Sequence, residues 1–409
     1  MADSAPPSSS ADSLFEATKA AYPRIRANIE ITPLTRSIAL SSVTGRDLSL
    51  KWDNKLITGS FKERGAVNFL CHLQETGNHE TVCAASAGNH ALGLSYHARR
   101  FGMRCVLVMP KNASLVKVQA CERNGAEIQL VGETFDDAYD HARLLCREKG
   151  YVFVPPFDHE LIAAGQSSIA YELLEQSSDF DSIIVPIGGG GLISGIATVL
   201  KKLRPEVYIL GVQSNWAAMH YTHQPGSPAK ILPVTIADGI AVKRLGSLTG
   251  PLIAQLVDKV VSVSEQETAT ALIQFLEREH VVVEGSAAVT LAALTAGYLP
   301  SSYKKPVLLV SGSNIDVNLL ARLLGREMSQ RDRLLRLRAS LPDRPGVLHF
   351  LSGIIASEGA NILEVTHDRS FAREPGNVEI TLVLEVRDAA HKEKIMQLLD
   401  SAGIFVTAQ

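Results

Sequence analysis

The sequence predicts an α/β protein: an open, mostly parallel sheet fold in two lobes, followed by a small ferredoxin-like α+β domain. Three observations predict it. Short apolar runs alternate with longer amphipathic segments over most of the chain, the pattern of parallel strands covered by helices. The pattern repeats, which implies two lobes with a ligand site between them at the carboxyl ends of strands. Beyond about residue 330 it gives way to strict alternation, the mark of half-buried antiparallel strands. At 409 residues a single domain is too few, and two or three are expected.

In chain order, residues 1–12 are small and polar (MADSAPPSSSAD) and are expected to be a disordered tail. Residues 13–325 are expected to form the main body, with a small lobe at about 55–153 inserted in the large one. In the small lobe TVCAA (Thr81–Ala85), RCVLVM (Arg104–Met109), EIQLV (Glu127–Val131) and YVFV (Tyr151–Val154) read as strands. Helices are expected between them at Asn89–Phe101, Leu115–Asn124 and Phe135–Glu148. In the large lobe SIIVPI (Ser182–Ile187), VYILGV (Val207–Val212) and VLLVS (Val307–Ser311) read as strands, and Ser194–Leu203 and Glu265–His280 as helices.

A linker is expected over 326–333 and a separate domain over 334–409. There Leu335, Leu337, Ala339 and Leu341 alternate with Arg336, Arg338 and Ser340, and Val378–Val386 alternates likewise. Val347–Glu358 and Ala389–Ser401 have helical spacing, and a short strand is expected near Ile404–Thr407. The order is β-α-β-β-α-β.

Composition excludes several classes. A formal net charge of −3 makes no electrostatic case for nucleic acid or an anionic membrane. No apolar run approaches the roughly 18–20 residues of a membrane span. The N-terminal stretch has neither a signal peptide's apolar core nor a transit peptide's arginines. Cys71, Cys83, Cys105, Cys121 and Cys146 are scattered, with no CxxC spacing. That points to reduced thiols in the cytoplasm and away from a zinc site; no metal site is expected.

Chemistry concentrates in four runs. Lys62 sits in TGSFKERGA (Thr58–Ala66). Thr58, Gly59 and Ser60 signal a tight turn that presents it to a pocket, and Phe61 offers an aromatic wall. An ε-amine that loses hydration has a lower pKa and becomes a nucleophile, a base or a Schiff-base former; an exposed lysine beside a turn would have the same local sequence.

SAGNH (Ser86–His90) lies between a predicted strand and a predicted helix. Amides at a helix start attract a carboxylate or phosphate, Gly88 permits close approach and Asn89 adds a donor. Ser and Asn there also serve as plain helix caps. GGGG (Gly188–Gly191) exposes bare amides before a helix, a phosphate cradle. The GxGxxG of a dinucleotide loop is not met: Ile193 and Ser194 stand where its third glycine would fall, and Gln213 rather than an acid ends the next strand. SGSNID (Ser311–Asp316) closes a predicted strand; Ser311 offers a neutral hydroxyl, though the composition also suits a plain turn.

One cofactor reconciles the four. Pyridoxal phosphate needs a lysine for its aldehyde, a cradle for its phosphate, a donor for its phenolic oxygen and a partner for its ring nitrogen. Lys62, Gly188–Gly191, Asn89 and Ser311 supply these in turn. A serine partner leaves the ring nitrogen mostly neutral, a weaker electron sink than an aspartate would make. That suits α,β-elimination better than transamination.

These motifs, together with ADGIAV (Ala237–Val242), stand in the order found in the fold-type II pyridoxal-phosphate enzymes. Over about residues 13–325 the chain resembles the threonine/serine dehydratases, or threonine ammonia-lyases. DRPG (Asp343–Gly346) with GANI (Gly359–Ile362) resembles an ACT domain, a regulatory module. The resemblance implies that Lys62 holds the cofactor and then removes the substrate's α-proton, with Phe61 stacked behind the ring. Ser86, Ala87, Gly88, Asn89 and His90 would bind the substrate carboxylate, with Asn89 near the cofactor phenolate. Gly188, Gly189, Gly190, Gly191 and Leu192 would take the phosphate, and Gly239 and Glu284 would line the cofactor. An amino-acid effector is expected near Pro342, Asp343, Arg344, Pro345, Gly346 and Asn361, at a domain–domain contact. A homodimer or homotetramer is expected.

The expected reaction is conversion of L-threonine, and of L-serine, to 2-oxobutanoate or pyruvate and ammonia. Serine racemase is the near alternative. Racemases carry SSGNH, whose second serine supplies an acid on the face opposite the lysine; here that residue is Ala87, and Phe157 stands where racemases have asparagine. A threo-3-hydroxyaspartate ammonia-lyase is a further alternative. In another class, the chain would be an amino-acid sensor with a relic catalytic body, which an intact Lys62, cradle and Ser311 argue against. Leu92, Pro155 and Ser313 depart from the usual glutamine, histidine and glycine. Gln213 replaces the glutamate that racemase-like members use for a divalent cation.

Overall fold

The structure is a computed structural model and describes residues 11–215, 235–370 and 374–408. The expected tail over 1–12 lies outside the described residues except for Ala11 and Asp12, which open a helix, Ala11–Asn28. Leu14, Ala21 and Ile25 are fully buried on one side of that helix. The chain divides into two compact units, Met1–Ile315 and Asp316–Gln409.

The first unit carries β1 (Leu34–Arg36), β2 (Ser49–Trp52), β3 (Val82–Ala85), β4 (Cys105–Met109), β5 (Glu127–Leu130), β6 (Val152–Phe153), β7 (Ser182–Pro186), β8 (Tyr208–Ser214), β9 (Lys259–Val263) and β10 (Pro306–Val310). They form two sheets, ordered β1-β2-β10-β7-β8-β9 and β5-β4-β3-β6. Only the β1–β2 pair is antiparallel among them. The second sheet lies in the chain between β2 and β7, so the small lobe interrupts the large one.

The near-continuous apolar runs follow from burial on both faces. In β3, Val82 and Ala84 face Leu70, Leu94 and Leu107 on one side. Cys83 and Ala85 face Ala138, Ala142 and Leu145 on the other. In the large lobe Ile183, Val185 and Leu309 pack against Ile193, Ile196 and Leu200 of helix Gly191–Leu203. Each such Ile or Leu contributes about 1.5–3 kcal/mol by leaving water.

A charged knot lies within this apolar frame. Arg64, wholly buried, donates to Asp53 at 2.7 Å and to Glu172 at 2.5 Å. Lys51, also wholly buried, donates to Glu172 at 2.5 Å. Arg64 stands two residues after Lys62, so the knot anchors the start of helix Lys62–Glu75.

Two elements differ from expectation. The helix expected over 265–280 is α-helical over Glu265–Gln274 and closes with a π turn, Phe275–Glu279. His280 then leaves it at φ +57°. The expected linker over 326–333 is largely helix: Val317–Gln330 is capped by Asp316, which accepts from the amides of Asn318 and Leu319, and it groups with the second unit. Strands β1, β2 and β9 do not stand out in the sequence, being short or carrying exposed lysine and valine.

The second unit contains β11 (Leu334–Pro342), β12 (Asn361–Asp368), β13 (Asn377–Glu385) and β14 (Val406–Ala408), ordered β12-β13-β11-β14 with every pair antiparallel. Helices Val347–Ser357 and Ala389–Ser401 complete a ferredoxin-like plan. Leu335, Leu337, Ala339 and Leu341 point into its core, as the alternation requires.

Within one chain this unit separates the expected effector residues. β11 and β12 both run antiparallel to β13, so they run the same way. Pro342 at the end of β11 pairs with Asn377, whereas Asn361 at the start of β12 pairs with Glu385 at the far end of β13. At about 3.3 Å per residue the loop 342–346 and Asn361 are roughly 25 Å apart along the sheet.

No helix among the described residues is long and apolar enough to cross a membrane.

Candidate active site

Phe61 and Lys62, residues 86–90, residues 188–192, Gly239, Glu284 and Ser311 all line one cavity of about 740 Å3 in the first unit. They come from the ends of β3, β7 and β10 and from helix starts, where loops project beyond a parallel sheet.

Lys62 opens its helix directly after the turn 58–61. Gly59 adopts φ +76° there, a left-handed conformation that favours glycine. The turn is zipped to the end of β10: Phe61 N donates to Ser311 O at 3.0 Å, and Ser313 N to Gly59 O at 2.9 Å. This joins two motifs that lie at opposite ends of the body in sequence. The Lys62 Nζ donates to the carbonyl of Pro156 at 2.7 Å and lies 5.3 Å from the centre of the Phe61 ring. Burial lowers its pKa to about 8, opposed by the pull of Glu284.

SAGNH leads from β3 into helix Asn89–Arg100. Gly88 N donates to Ser86 Oγ at 3.3 Å. His90 is buried, with Nε2 3.0 Å from the carbonyl of Val154. A carbonyl only accepts, so Nε2 carries the proton. Burial, and next the nearby Lys62, lower its pKa to about 3. A neutral ring tied to the backbone offers no cation, so what His90 can give a carboxylate is its main chain.

Asn89 Nδ2 donates to both oxygens of Glu284, at 2.9 and 3.0 Å, and its Oδ1 accepts from Asn314 Nδ2 at 2.9 Å. Glu284 also accepts from Ser286 Oγ. Burial raises the Glu284 pKa, against the hydrogen bonds from Asn89 and Ser286. Gly239 fits beside this pair because a Cβ there would fall 2.7 Å from Ser286 Oγ.

The glycine run bridges β7 and helix Gly191–Leu203, whose first amides have no partner within the helix. A Cβ at Gly189 would fall 2.3 Å from the Phe157 ring, and one at Gly191 2.8 Å from Phe157 O. Gly190 has φ +95°. The Gly189 carbonyl accepts from Thr249 Oγ1 at 2.6 Å, and Asp158 in turn holds Ser247 N at 2.8 Å and Leu248 N at 3.0 Å. The cradle is thus closed to side chains and braced from behind.

A cradle that side chains would fill, a desolvated amine and a neutral hydroxyl at Ser311 are the groups that pyridoxal phosphate requires. The residues present fit it. Among the described residues no group of three or more His, Cys, Asp or Glu is placed to hold a metal ion.

A model of the pyridoxal-phosphate dependent enzyme family matches residues 25–312. The chain belongs to that family. This pyridoxal-phosphate enzyme is 40% identical to the L-threonine ammonia-lyase of Thermotoga maritima over 392 residues, covering 95% of this chain and 98% of that one. Its structure is similar to threonine deaminase isoform 2 from Solanum lycopersicum, with a TM-score of 0.70 and 30% identity over 78% of this chain and 90% of that one. It is also similar to serine racemase from Dictyostelium discoideum, with a TM-score of 0.67 and 32% identity over 74% of this chain and 99% of that one. Both neighbours share the fold-type II body.

Sequence reasoning missed Pro156, Asn314, Asp158 and Gln166. Pro156 acts through a backbone carbonyl, which no side-chain pattern reveals. Gln166 is buried in the cavity wall, and its Oε1 has no hydrogen-bond partner among the described residues. Asn314 lies within SGSNID and was legible there as a turn residue only.

Proposed function

We propose that this enzyme is an L-threonine ammonia-lyase that also accepts L-serine, releasing 2-oxobutanoate or pyruvate and ammonia. The observation that carries it is the pairing, in one cavity, of a desolvated amine at Lys62 with a methyl at Ala87. Bound pyridoxal phosphate supplies a carbonyl for the substrate amine and a ring that delocalises charge as the α-proton leaves. Gly188–Gly191 and Leu192 would hold its phosphate, Ser311 would meet its ring nitrogen, and Phe61 would back the ring. The main-chain amides of Ser86–His90 orient the substrate carboxylate. Lys62, as a neutral amine, takes the α-proton. Ala87 has no proton to return to the α-carbon, so loss of the β-hydroxyl as water prevails over racemisation. Hydrolysis of the released enamine in water yields the 2-oxo acid and ammonia.

The test is turnover of purified enzyme loaded with pyridoxal phosphate. L-threonine should yield 2-oxobutanoate and ammonia in equal amounts, and Lys62→Ala should lose both turnover and the visible absorbance of covalently held cofactor. D-serine formed from L-serine as fast as pyruvate would replace this reading with a racemase.

The C-terminal unit is read as an ACT-type regulatory domain of a cytoplasmic homodimer or homotetramer. Its supporting observations are the ferredoxin-like plan and the DRPG and GANI turns. Because loop 342–346 and Asn361 lie at opposite ends of the sheet, an amino-acid effector would take the loop from one chain and Asn361 from another. Truncation after Gln330 should abolish an effector response to branched-chain amino acids while turnover persists; an unchanged response refutes the assignment.

A further inference from the structure

Three motifs distant in sequence converge on the side chain of Asn314. Its Nδ2 donates to Thr58 O at 2.7 Å, in the turn before Lys62, and to Asn89 Oδ1 at 2.9 Å. Its Oδ1 packs on Gly59, where a Cβ would fall 2.6 Å away. The main chain around it is tied down, since Ser313 N donates to Gly59 O and Glu284 N to Gly312 O at 3.1 Å.

The orientation of these amides follows from one fixed point. A backbone carbonyl can only accept, so the Asn314 atom facing Thr58 O is its nitrogen. The same nitrogen faces Asn89, which must therefore present its oxygen there. Asn89 then has to turn its NH2 toward Glu284, which with Asn89 lines the cavity. Glu284 cannot impose this by itself. A carboxyl group can accept from an amide nitrogen when ionised or donate to an amide oxygen when protonated. The Thr58 carbonyl has no such choice.

We infer that Asn314 is a positioning residue: it fixes which end of the Asn89 amide faces the cofactor, holding Asn89 as a hydrogen-bond donor. This rests on the proposed placement of pyridoxal phosphate beside Asn89. Without Asn314 the Asn89 amide is free to turn its oxygen toward the cofactor's phenolic oxygen, replacing attraction by repulsion.

The experiment compares wild-type holoenzyme with Asn314→Ala, Asn314→Asp, Asn89→Ala and the combination of Asn89→Ala with Asn314→Ala. Two quantities are read: the pH midpoint of the bound cofactor's visible absorbance, and the cofactor dissociation constant obtained by titrating cofactor-free enzyme. Asn314→Ala should shift the midpoint in the same direction as Asn89→Ala and weaken cofactor binding about five- to tenfold, the scale of one hydrogen bond. Asn314→Asp, which accepts but cannot donate, should shift it further. In the Asn89→Ala background the Asn314→Ala change should add nothing, because the two act as one unit. An unmoved midpoint in the Asn314 variants, or additive shifts in the combined variant, overturns the inference. If Asn314→Ala does not fold, Asn314→Ser, which keeps one donor, should move the midpoint part of the way, and no movement overturns it equally. Wild-type enzyme that binds no cofactor would overturn the reading of the site together with the inference. Normal wild-type absorbance with unmoved variants overturns only the inference.

Discussion

The Nζ of Lys62 donates to the carbonyl oxygen of Pro156 at 2.7 Å. Helix Lys62–Glu75 supplies the amine, and the segment after β6 supplies its acceptor. The Lys62 amine is buried with its proton held by a carbonyl dipole, and burial outweighs the opposing pull of Glu284, so its pKa falls to about 8.

That value sets a pH dependence. Below about 8 the amine is an ammonium ion and cannot attack an aldehyde; above it the amine is neutral and can. The rate at which cofactor-free enzyme takes up pyridoxal phosphate should therefore rise with pH and level off above about 8. An ordinary lysine would keep the rate climbing to about 10. Stopped-flow absorbance across this range decides between them, and a rate still rising at the alkaline end contradicts the buried amine.

Ala87→Ser places a hydroxyl in the wall that now presents a methyl. D-serine should then appear from L-serine, with pyruvate formation retained but reduced. A chiral assay of the product amino acid checks this; elimination alone in the variant would mean that position 87 does not govern the outcome.

Gly189→Ala should damage the cradle. Its Cβ would meet the Phe157 ring at 2.3 Å, and such overpacking costs about 1–3 kcal/mol. Equilibrium denaturation should show that loss, and gel filtration should show cofactor released from the variant but kept by wild type. A variant that keeps its cofactor as firmly as wild type would show that the loop yields.

Glu172→Gln removes the negative centre shared by Lys51 and Arg64. Both cations are buried and would be left with Asp53 alone to balance them. Breaking a buried pair from one side costs about 3–5 kcal/mol. Chemical denaturation should register a loss of that order, and a change under about 1 kcal/mol would be the behaviour of an exposed pair.

Local pattern alone was enough for much of this protein. Runs such as CVLVM (Cys105–Met109) and SIIVP (Ser182–Pro186) are strands because only both-face burial tolerates unbroken apolar stretches, and the alternation at Leu335–Leu341 assigns one face of β11 to a core. Gly188–Gly191, Lys62, Asn89 and Ser311 could be singled out as candidates because the chemistry proposed for them resides in the residue types themselves, and the fold brings them to one cavity. Tertiary structure decided what depends on partners far along the chain. It gave Lys62 the Pro156 carbonyl, tied the His90 ring to Val154, and placed Asn314 between Thr58 and Asn89. It also set loop 342–346 and Asn361 at opposite ends of one sheet. The reason is physical: a sequence pattern records which face of an element is dry, whereas a pKa or an amide's orientation is set by the particular atoms that folding brings within 3 Å.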